Sequence, residues 1–532
     1  MTDKQLRFMQ RSFARFASID DEQQLSPAVV DTASIQELLL LAVALGAGAF
    51  LRSYGLNSMG LNTDEAVYSG QAAAIVGDPT LKPFFPMFRA HPILFQFIVS
   101  FGFLWGVNDL VGRMFAVAFG LATLLLVYHL GKLLYGRWVG AIAALFLALM
   151  PYHVVVTRQM LLDGPLTFCT TLTLYMVARF GSTQRPAWMY AAGSGLALTF
   201  LTKETGVIII GAIYAFLALC PQLRLRIRDI VISMGCMVAI VATFPLSLAL
   251  AGGGGAKKTQ SYLVWQLFRR PNHEWTFYPS TVPFAIGPLL IIAAIFGLWL
   301  LRRQRGWREV LLAWWAVVPV AFFQLWPTKG FQYLLPIAPA LAVLAGRALI
   351  GQSGHAASHG GRSLVRWLRP IATAAIAISL LLPSWSRIQP ATSDTFLAGS
   401  GGIPGGREAG RWISEHVPEG AQLLTIGPSM ANVLQFYGHR KAYGLSVSPN
   451  PLHRNPSYEP IPNPDMHIRS GELQYLVWDS FSAARSSFFS EKILRYASRY
   501  HGRIVHSQSV TVTGANGERT TKPIIIIYEV RP

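Results

Sequence analysis

The stretch DLVGRMFAVAFGLATLLLVYHLGKLLYGRWVGAIAALFLALMPYHVVV, residues 109–156, decides the class of fold. It holds two apolar runs, 110–130 and 138–156, separated by a short basic break from Lys132 to Arg137. Each run is close to the roughly 17–25 residues that carry a helix across a bilayer. A basic break between two such runs marks a cytoplasmic loop, because Lys and Arg are retained on the inner side. Working outward, apolar runs recur at 36–51, 165–178, 188–201, 206–220, 230–250, 283–301, 310–326, 334–350 and 371–385. The expectation is a mostly α polytopic membrane protein with about eleven transmembrane helices.

Composition agrees with that class. Of the 532 residues, 52% are hydrophobic and 13% are charged, against roughly 25% charged in soluble domains. The net charge of +19 does not point to nucleic acid, since its Lys and Arg sit in short loops between apolar runs. Cys169, Cys220 and Cys236 all fall in apolar segments without metal-ligand spacing and read as core thiols.

The basic loops fix an expected topology. Lys132 to Arg137, Arg179 to Arg185, Arg224 to Arg228, Arg302 to Arg308 and Arg362 to Arg369 go inside. The loops 52–109, 157–164, 202–205, 251–282 and 327–333, and everything after 386, then go outside. Residues 1–34 are polar and too charged for a signal peptide, and read as a retained cytoplasmic tail. Ile93 to Trp105 is apolar but short. Counting it as a span would reverse every basic loop downstream, so His91 to Trp105 is expected to lie in the outer interface. The transmembrane region thus covers 35–390. The segment 391–532 changes character, with short apolar runs at 422–426, 475–478, 503–506 and 524–528 and helical patterns at 406–416, 429–437 and 487–500. Such alternation predicts a small C-terminal α/β extracytoplasmic domain.

The chemistry is expected in the first outer loop, at LNTDEAVYSGQ, residues 61–71. If Asp64 opens a helix, Asp64, Tyr68 and Gln71 share one face at i, i+4 and i+7. The bland alternative makes Thr63 or Asp64 a helix cap, with Glu65 favourable in the first turn. Charges at membrane edges are costly and default to function. Every outer loop supplies at least one cation. Arg89 and His91 stand in the first, Arg158 and Asp163 in the second and Lys203 in the third. Arg269, Arg270 and His273 follow in the fourth, and Lys329, Gln332 and Tyr333 in the fifth. Each has a structural reading too: Arg158 pairing with Asp163, Lys203 and Lys329 anchoring at the interface, Arg269 and Arg270 holding lipid headgroups. Together, in a chain that otherwise keeps its cations inside, they fit a pocket for a phosphate-bearing lipid beside an acid.

The order of DEAVYSGQA, AHPILFQ, the run from Asn108 to Phe168, LALTFLTKETG and KGFQYLLPIAPALAVLAG is similar to that of the GT-C polytopic glycosyltransferases. Within these the chain resembles the protein mannosyltransferase and aminoarabinose lipid A transferase superfamily, over about 36–350. The resemblance implies a GT-C-like helical bundle that takes a sugar from a polyprenyl-phosphate carrier and passes it to an acceptor outside the cytoplasmic (inner) membrane, usually with inversion. It places the essential first-loop aspartate at Asp64 with Glu65 beside it, a further acid at Asp163, and donor-phosphate contacts at Lys203 and Lys329. The single proline of AHP, where HPP is commoner, touches only local loop geometry.

On this reading Asp64 is the general base, and Lys203, Lys329, Arg158 and Arg89, in that order, stabilise the leaving phosphate. Tyr68, Gln71, His91, Arg269, Arg270, His273, Gln332 and Tyr333 line the substrate pocket. The expected partners are a polyprenyl-phosphate sugar, an unidentified extracytoplasmic acceptor and membrane lipids, with no nucleic acid. No cofactor is required by a monophosphate leaving group, though His91 and His273 leave room for a divalent metal. The rival from another class is a transporter or flippase of lipid-linked sugars. Its carboxylates would stand at mid-span beside broken helices, whereas these cluster at span ends.

Overall fold

A computed structural model describes residues 34–220, 223, 225–251, 254–300, 306–350, 362–389, 403–513 and 518–532. The expected tail, save Ser34, lies outside the described residues, as do Arg224, Arg302, Arg303 and Arg305 of the inner loops. The chain divides into two compact units. A helical unit comprises the described parts of Met1–Tyr54, Met114–Ser247 and Arg270–Gly399. An α/β unit comprises those of Gly55–Arg113, Leu248–Arg269 and Ser400–Pro532.

The helical unit is built from apolar helices around Arg137–Leu149, which is buried on nearly every side and packs against Ile35–Ser53 and Ala338–Ile350. A helix apolar all round belongs in the middle of a bundle. Its crossing with the helix Asp109–Tyr135 is close because Gly140 lacks a side chain; a Cβ there would lie 2.3 Å from the Tyr128 carbonyl oxygen. Ionisable groups are paired where they enter this unit. Glu37 forms a capping box with Ser34, accepts a hydrogen bond from the Tyr128 hydroxyl and lies 3.7 Å from Lys132 Nζ. Glu309 closes the start of the helix Trp307–Leu325 and accepts from Tyr135 at 2.9 Å.

Six described helices are long and apolar enough to cross a membrane: Ile35–Ser53, Asp109–Tyr135, Ile227–Ala251, Trp307–Leu325, Phe331–Ile350 and Leu368–Ile388. A bent pair raises the number to seven. The protein is therefore a multi-pass membrane protein, but the expected eleven spans exceed the helices that meet this measure. Prolines and glycines account for much of the difference. The run 138–156 is split into Arg137–Leu149 and Pro151–Val156, because Pro151 has no N–H to continue the first helix and opens the second. The run 283–301 bends by 91° between Phe277–Ile286 and Pro288–Trp299, at Gly287, whose φ of 105° only glycine adopts readily. The run 206–220 opens as a 3-10 turn, Glu204–Val207, before the helix Ile208–Leu219. The helix Asp163–Thr183 is long, but Thr167, Thr170, Thr171 and Thr173 dilute its apolar character and return hydrogen bonds to its own carbonyls. Residues 94–103 form a single helix of 10 residues, about 15 Å long, too short to span.

The α/β unit carries a five-stranded mixed sheet in the order β2-β1-β3-β5-β4. The strands are β1 (Gln422–Thr425), β2 (Lys441–Gly444), β3 (Leu473–Asp479), β4 (Arg503–Thr513) and β5 (Arg519–Glu529). β1 runs parallel to β2 and β3, and β5 pairs antiparallel with β3 and β4. The core under the sheet is Leu424, Leu473, Leu476, Ile493, Ala497 and Val530, with Ile493 and Ala497 supplied by the helix Ser487–Arg499. The helices Gly406–His416 and Pro428–Gly438 pack together, and the second also packs on the helix Thr63–Ile75. The stretch Gly55–Arg113 and the C-terminal segment thus belong to one body.

At the end of β3, Asp479 caps the following helix by accepting from the Ser482 N–H at 2.7 Å, while its second oxygen is buried with no partner among the described residues. Burial pushes this carboxyl up from 3.8 to about 6, against the lowering pull of the Ser482 hydrogen bonds. The folded state therefore holds the proton more tightly than the unfolded chain. Its contribution is full below about pH 4 and is lost as pH rises through 6, by up to about 2–3 kcal/mol. Replacing Asp479 with Asn, which can still cap, is expected to flatten that dependence and to slow hydrogen exchange of β3 at pH 7. An unchanged pH profile of β3 protection would contradict this.

Candidate active site

The two adjacent acids of the first loop have separate surroundings. Asn62 caps the helix Thr63–Ile75, its side chain accepting from the N–H groups of Asp64 and Glu65 at 3.0 Å each. The cap that the bland alternative put at Thr63 or Asp64 falls on Asn62, which has the extended backbone an N-cap needs. Glu65 returns the bond to the Asn62 N–H at 3.0 Å, completing a capping box. Its two oxygens also accept from Arg113 Nε and Nη2 at 2.8 Å each. Glu65 is fully buried, while Asp64 is exposed on the same helical turn. The structure thus commits Glu65 to holding the helix start and presents Asp64 to whatever approaches it.

Around Asp64 the α/β unit gathers several expected residues. Tyr68 lies edge-on to His91 with ring centres 6.3 Å apart, and His91 lies edge-on to Tyr262 at 5.2 Å. The Tyr262 hydroxyl is 3.4 Å from His91 Nε2 and accepts from Gln266 at 2.6 Å. Arg269 donates to Gln266 at 3.1 Å and covers the Trp265 ring at 4.6 Å. Arg89 is buried, donates to the Asn432 side chain at 3.4 Å and lies 5.6 Å from the Tyr458 ring centre. Burial lowers the Arg89 pKa, and Tyr458, Asp64 and Tyr68 pull it back up. Burial raises that of Tyr458, with Arg89 opposing and Asp64 reinforcing the shift. Gln71 proves to be a fastener: it donates to the Met87 carbonyl at 2.9 Å and accepts from Gln96 at 3.3 Å.

The helical unit carries a second set. Lys203 and Asp163 form a buried ion pair at 2.8 Å, and the Lys203 ammonium stands 4.6 Å from the Tyr333 ring centre. Arg158, whose structural reading paired it with Asp163, donates to the Leu51 carbonyl at 2.7 Å. Lys329 is buried, and its ammonium donates to the carbonyls of Gln324 and Trp326 at 3.1 Å each, where a helix end presents negative charge. Its loop is fixed by a reciprocal pair with Asn272 at 2.8 and 2.9 Å and by Tyr278, which both donates to and accepts from Gly330. Arg270 and His273 are exposed, and His273 stacks on Phe277 at 4.1 Å. Gln332 and Tyr333 lie in the 3-10 segment Phe331–Ile337. Among the described residues no group of three His, Cys, Asp or Glu is placed to hold a metal.

The residues that sequence reasoning missed are mainly arginines and their partners. Arg113 makes five hydrogen bonds, two to Glu65 and one each to the carbonyls of Leu56, Met59 and Gly60, at 2.7–2.8 Å. Arg407 donates to Asp109 at 2.6 and 3.0 Å, to the Asn57 carbonyl and side chain, and to the Met59 carbonyl. Asp109 also accepts from the Tyr437 hydroxyl, which in turn accepts from the Leu61 N–H at 2.8 Å. A loop whose sequence, LNSMG, has no acid to attract arginines offers its carbonyls instead. That signal is invisible in side-chain patterns.

Comparison with known proteins identifies the fold. Residues 90–248 match the family described as dolichyl-phosphate-mannose-protein mannosyltransferase. The chain is 29% identical over 209 residues to undecaprenyl phosphate-alpha-4-amino-4-deoxy-L-arabinose arabinosyl transferase 1 of Pseudomonas fluorescens. That match spans 36% of this chain and 36% of the relative's length. Among solved structures, ArnT from Cupriavidus metallidurans bound to undecaprenyl phosphate superposes with a TM-score of 0.66 at 15% identity, covering 93% of this chain and 98% of that one. The oligosaccharyltransferase AglB from Archaeoglobus fulgidus, in complex with an inhibitory peptide and a dolichol-phosphate, superposes with a TM-score of 0.52 at 12% identity, covering 92% and 74%.

The geometry of Arg113 yields a prediction. Arg113→Lys keeps the charge but loses the fork that spans both Glu65 oxygens and three carbonyls. It is expected to destabilise the folded chain by about 3–5 kcal/mol, the cost of leaving a buried carboxylate poorly paired. Thermal unfolding of the detergent-purified variants checks this; an Arg113→Lys midpoint equal to that of the parent would contradict it.

Proposed function

We propose that this chain, which has the GT-C-like polytopic glycosyltransferase fold, transfers a sugar from a polyprenyl-phosphate carrier to an acceptor at the outer face of the cytoplasmic membrane. The observation that carries the reading is the separation of Asp64 from Glu65. Glu65 is spent on the helix cap and Arg113, so Asp64 is a carboxylate on a rigid support with an exposed face. A base must be held still to be effective, and helix-borne groups are held better than those on loops.

In the proposed reaction Asp64 takes the proton of an acceptor hydroxyl or amine as that atom attacks the anomeric carbon. A new bond to carbon forms on one face while the bond to the carrier phosphate breaks on the other, so configuration inverts. Lys203, Lys329 and Arg158 are the cations proposed to stabilise the departing phosphate, with Asp163 keeping the Lys203 ammonium in place through their 2.8 Å contact. Arg89, expected as the fourth, is not given that role because it is buried and bonded to Asn432. The leaving group is a monophosphate ester, which these fixed cations can neutralise without a metal. The further expectation, eleven spans with the N-terminus inside and the C-terminal segment outside, belongs to the same proposal. On it, the bent pair and the helices Arg137–Leu149, Asp163–Thr183, Pro186–Thr202 and Glu204–Leu219 join the six long helices to complete the count.

Two outcomes are expected. Wild-type protein in vesicles consumes a polyprenyl-phosphate sugar, and Asp64→Asn slows consumption by about 10²–10⁴-fold, the usual worth of a positioned base, without shifting thermal unfolding. Near wild-type turnover by Asp64→Asn would remove the residue from the mechanism. For orientation, a cysteine at Ser470 should react with an impermeant maleimide on whole cells while one at Arg137 should not; the reverse pattern would overturn the topology.

A further inference from the structure

We infer that a polar cleft in the α/β unit, lined by Arg89, Asn432, Lys441, Arg454, Tyr458 and Glu459, is the acceptor subsite and takes a saccharide carrying an anionic group, phosphate or carboxylate. The inference deepens the sugar-transfer reading above and rests on it. The cleft encloses about 510 Å³, within the 300–1,000 Å³ common for small-molecule sites and ample for one or two sugar rings. It lies between the loop that follows the Asp64 helix, the helix Pro428–Gly438 and the turn-rich segment 444–460.

Three features set the ligand class. Charge comes first: three cations face one carboxylate, and the Lys441 ammonium is matched by Glu459 at 2.5 Å. Arg89 and Arg454 therefore leave a net positive site, suited to one anionic substituent. Neutral groups come second. Asn432 and Ser457 bring both donors and acceptors, as sugar hydroxyls require, and Phe84 and Tyr458 add aromatic surface to the lining. Five prolines in the lining hold its backbone fixed, so little order has to be gained on binding.

The third feature ties the cleft to the chemistry. Arg89, Asn432 and Tyr458 line it, and Asn432 donates to the hydroxyl of Thr63, the residue before Asp64, at 3.2 Å. Arg89 is held by Asn432 on one side, and its carbonyl accepts from the Ser457 hydroxyl at 3.2 Å. An acceptor seated against this pair would present a hydroxyl or amine toward Asp64. The cleft would thereby select the acceptor by charge before the proton is taken.

The test uses full-length protein in detergent, without donor, and saturation-transfer NMR titration with glucose 1-phosphate, glucuronate, glucose and inorganic phosphate. Glucose 1-phosphate and glucuronate are expected to bind, glucose not, and inorganic phosphate more weakly than the sugar phosphate. Arg454→Glu should weaken binding by roughly tenfold or more, as loss of a charged hydrogen bond does, while Arg454→Lys, which keeps the charge, should retain most of it. If glucose binds equally well, the anionic requirement is wrong. If inorganic phosphate binds as tightly as glucose 1-phosphate, the cleft is an anion site and not a saccharide site. If neither anionic sugar binds, or if Arg454→Glu binds like the parent, the cleft is not the subsite. Donor consumption by the wild type separates the two readings. Consumption without sugar binding overturns the cleft alone, and binding without consumption overturns the transfer reading and leaves a saccharide-binding cleft.

Discussion

The contact between Glu65 and Arg113 is the constraint on which the candidate site depends. A guanidinium has five N–H donors, and Arg113 uses all five, two on Glu65 and three on the carbonyls of Leu56, Met59 and Gly60. A buried charge pair gains little net stability over an apolar one, but losing a partner is expensive. Such a pair therefore specifies geometry more than it adds stability. Here it fixes the first turn of the Thr63–Ile75 helix from below, while Asn62 fixes it from the front. Asp64 inherits a position it does not have to maintain.

The same loop is held from its other side by Arg407, which reaches Asn57, Met59 and Asp109. Tyr437 adds a hydroxyl bridge between Asp109 and the Leu61 backbone. Gly60 is needed for this approach, since a Cβ there would lie 2.9 Å from the Arg407 Cβ. Both Arg407 and Tyr437 come from the C-terminal segment. That segment is therefore part of the scaffold for the first loop, and the cleft beside Arg89 follows from the same packing. The helices Gly406–His416 and Pro428–Gly438, which carry Arg407 and Tyr437, thus help to build the ground on which Asp64 stands.

Much of this was legible in the chain. The helix pattern at 406–416 coincides with Gly406–His416, and the patterns at 429–437 and 487–500 fall within a residue of Pro428–Gly438 and Ser487–Arg499, because Pro418, Gly438 and Gly502 stand at or just past their ends. The strand β2 was not legible: Lys-Ala-Tyr-Gly is too short and too polar to announce itself. The count of spans was too high by the measure of length and apolarity because composition reports apolarity and not continuity; Pro151 and Gly287 interrupt runs that read as unbroken. Asp64 stood out as one of two adjacent acids in a polar loop, but its difference from Glu65 rests on Arg113. That arginine sits four residues into an apolar helix and gives no sign in sequence of which acid it will meet. Arg89 was readable as a loop cation, whereas its neighbours Asn432 and Tyr458 lie more than three hundred residues away and only folding brings them together.

The most direct test of the division between the two acids is a paired measurement of donor-consumption rate and unfolding midpoint for Asp64→Asn and Glu65→Gln in the same vesicles. The account predicts that Asp64→Asn loses rate at an unchanged midpoint, whereas Glu65→Gln lowers the midpoint and keeps substantial rate wherever it remains folded. A Glu65→Gln protein that is fully stable but inactive, beside an Asp64→Asn protein that still turns over, would contradict it.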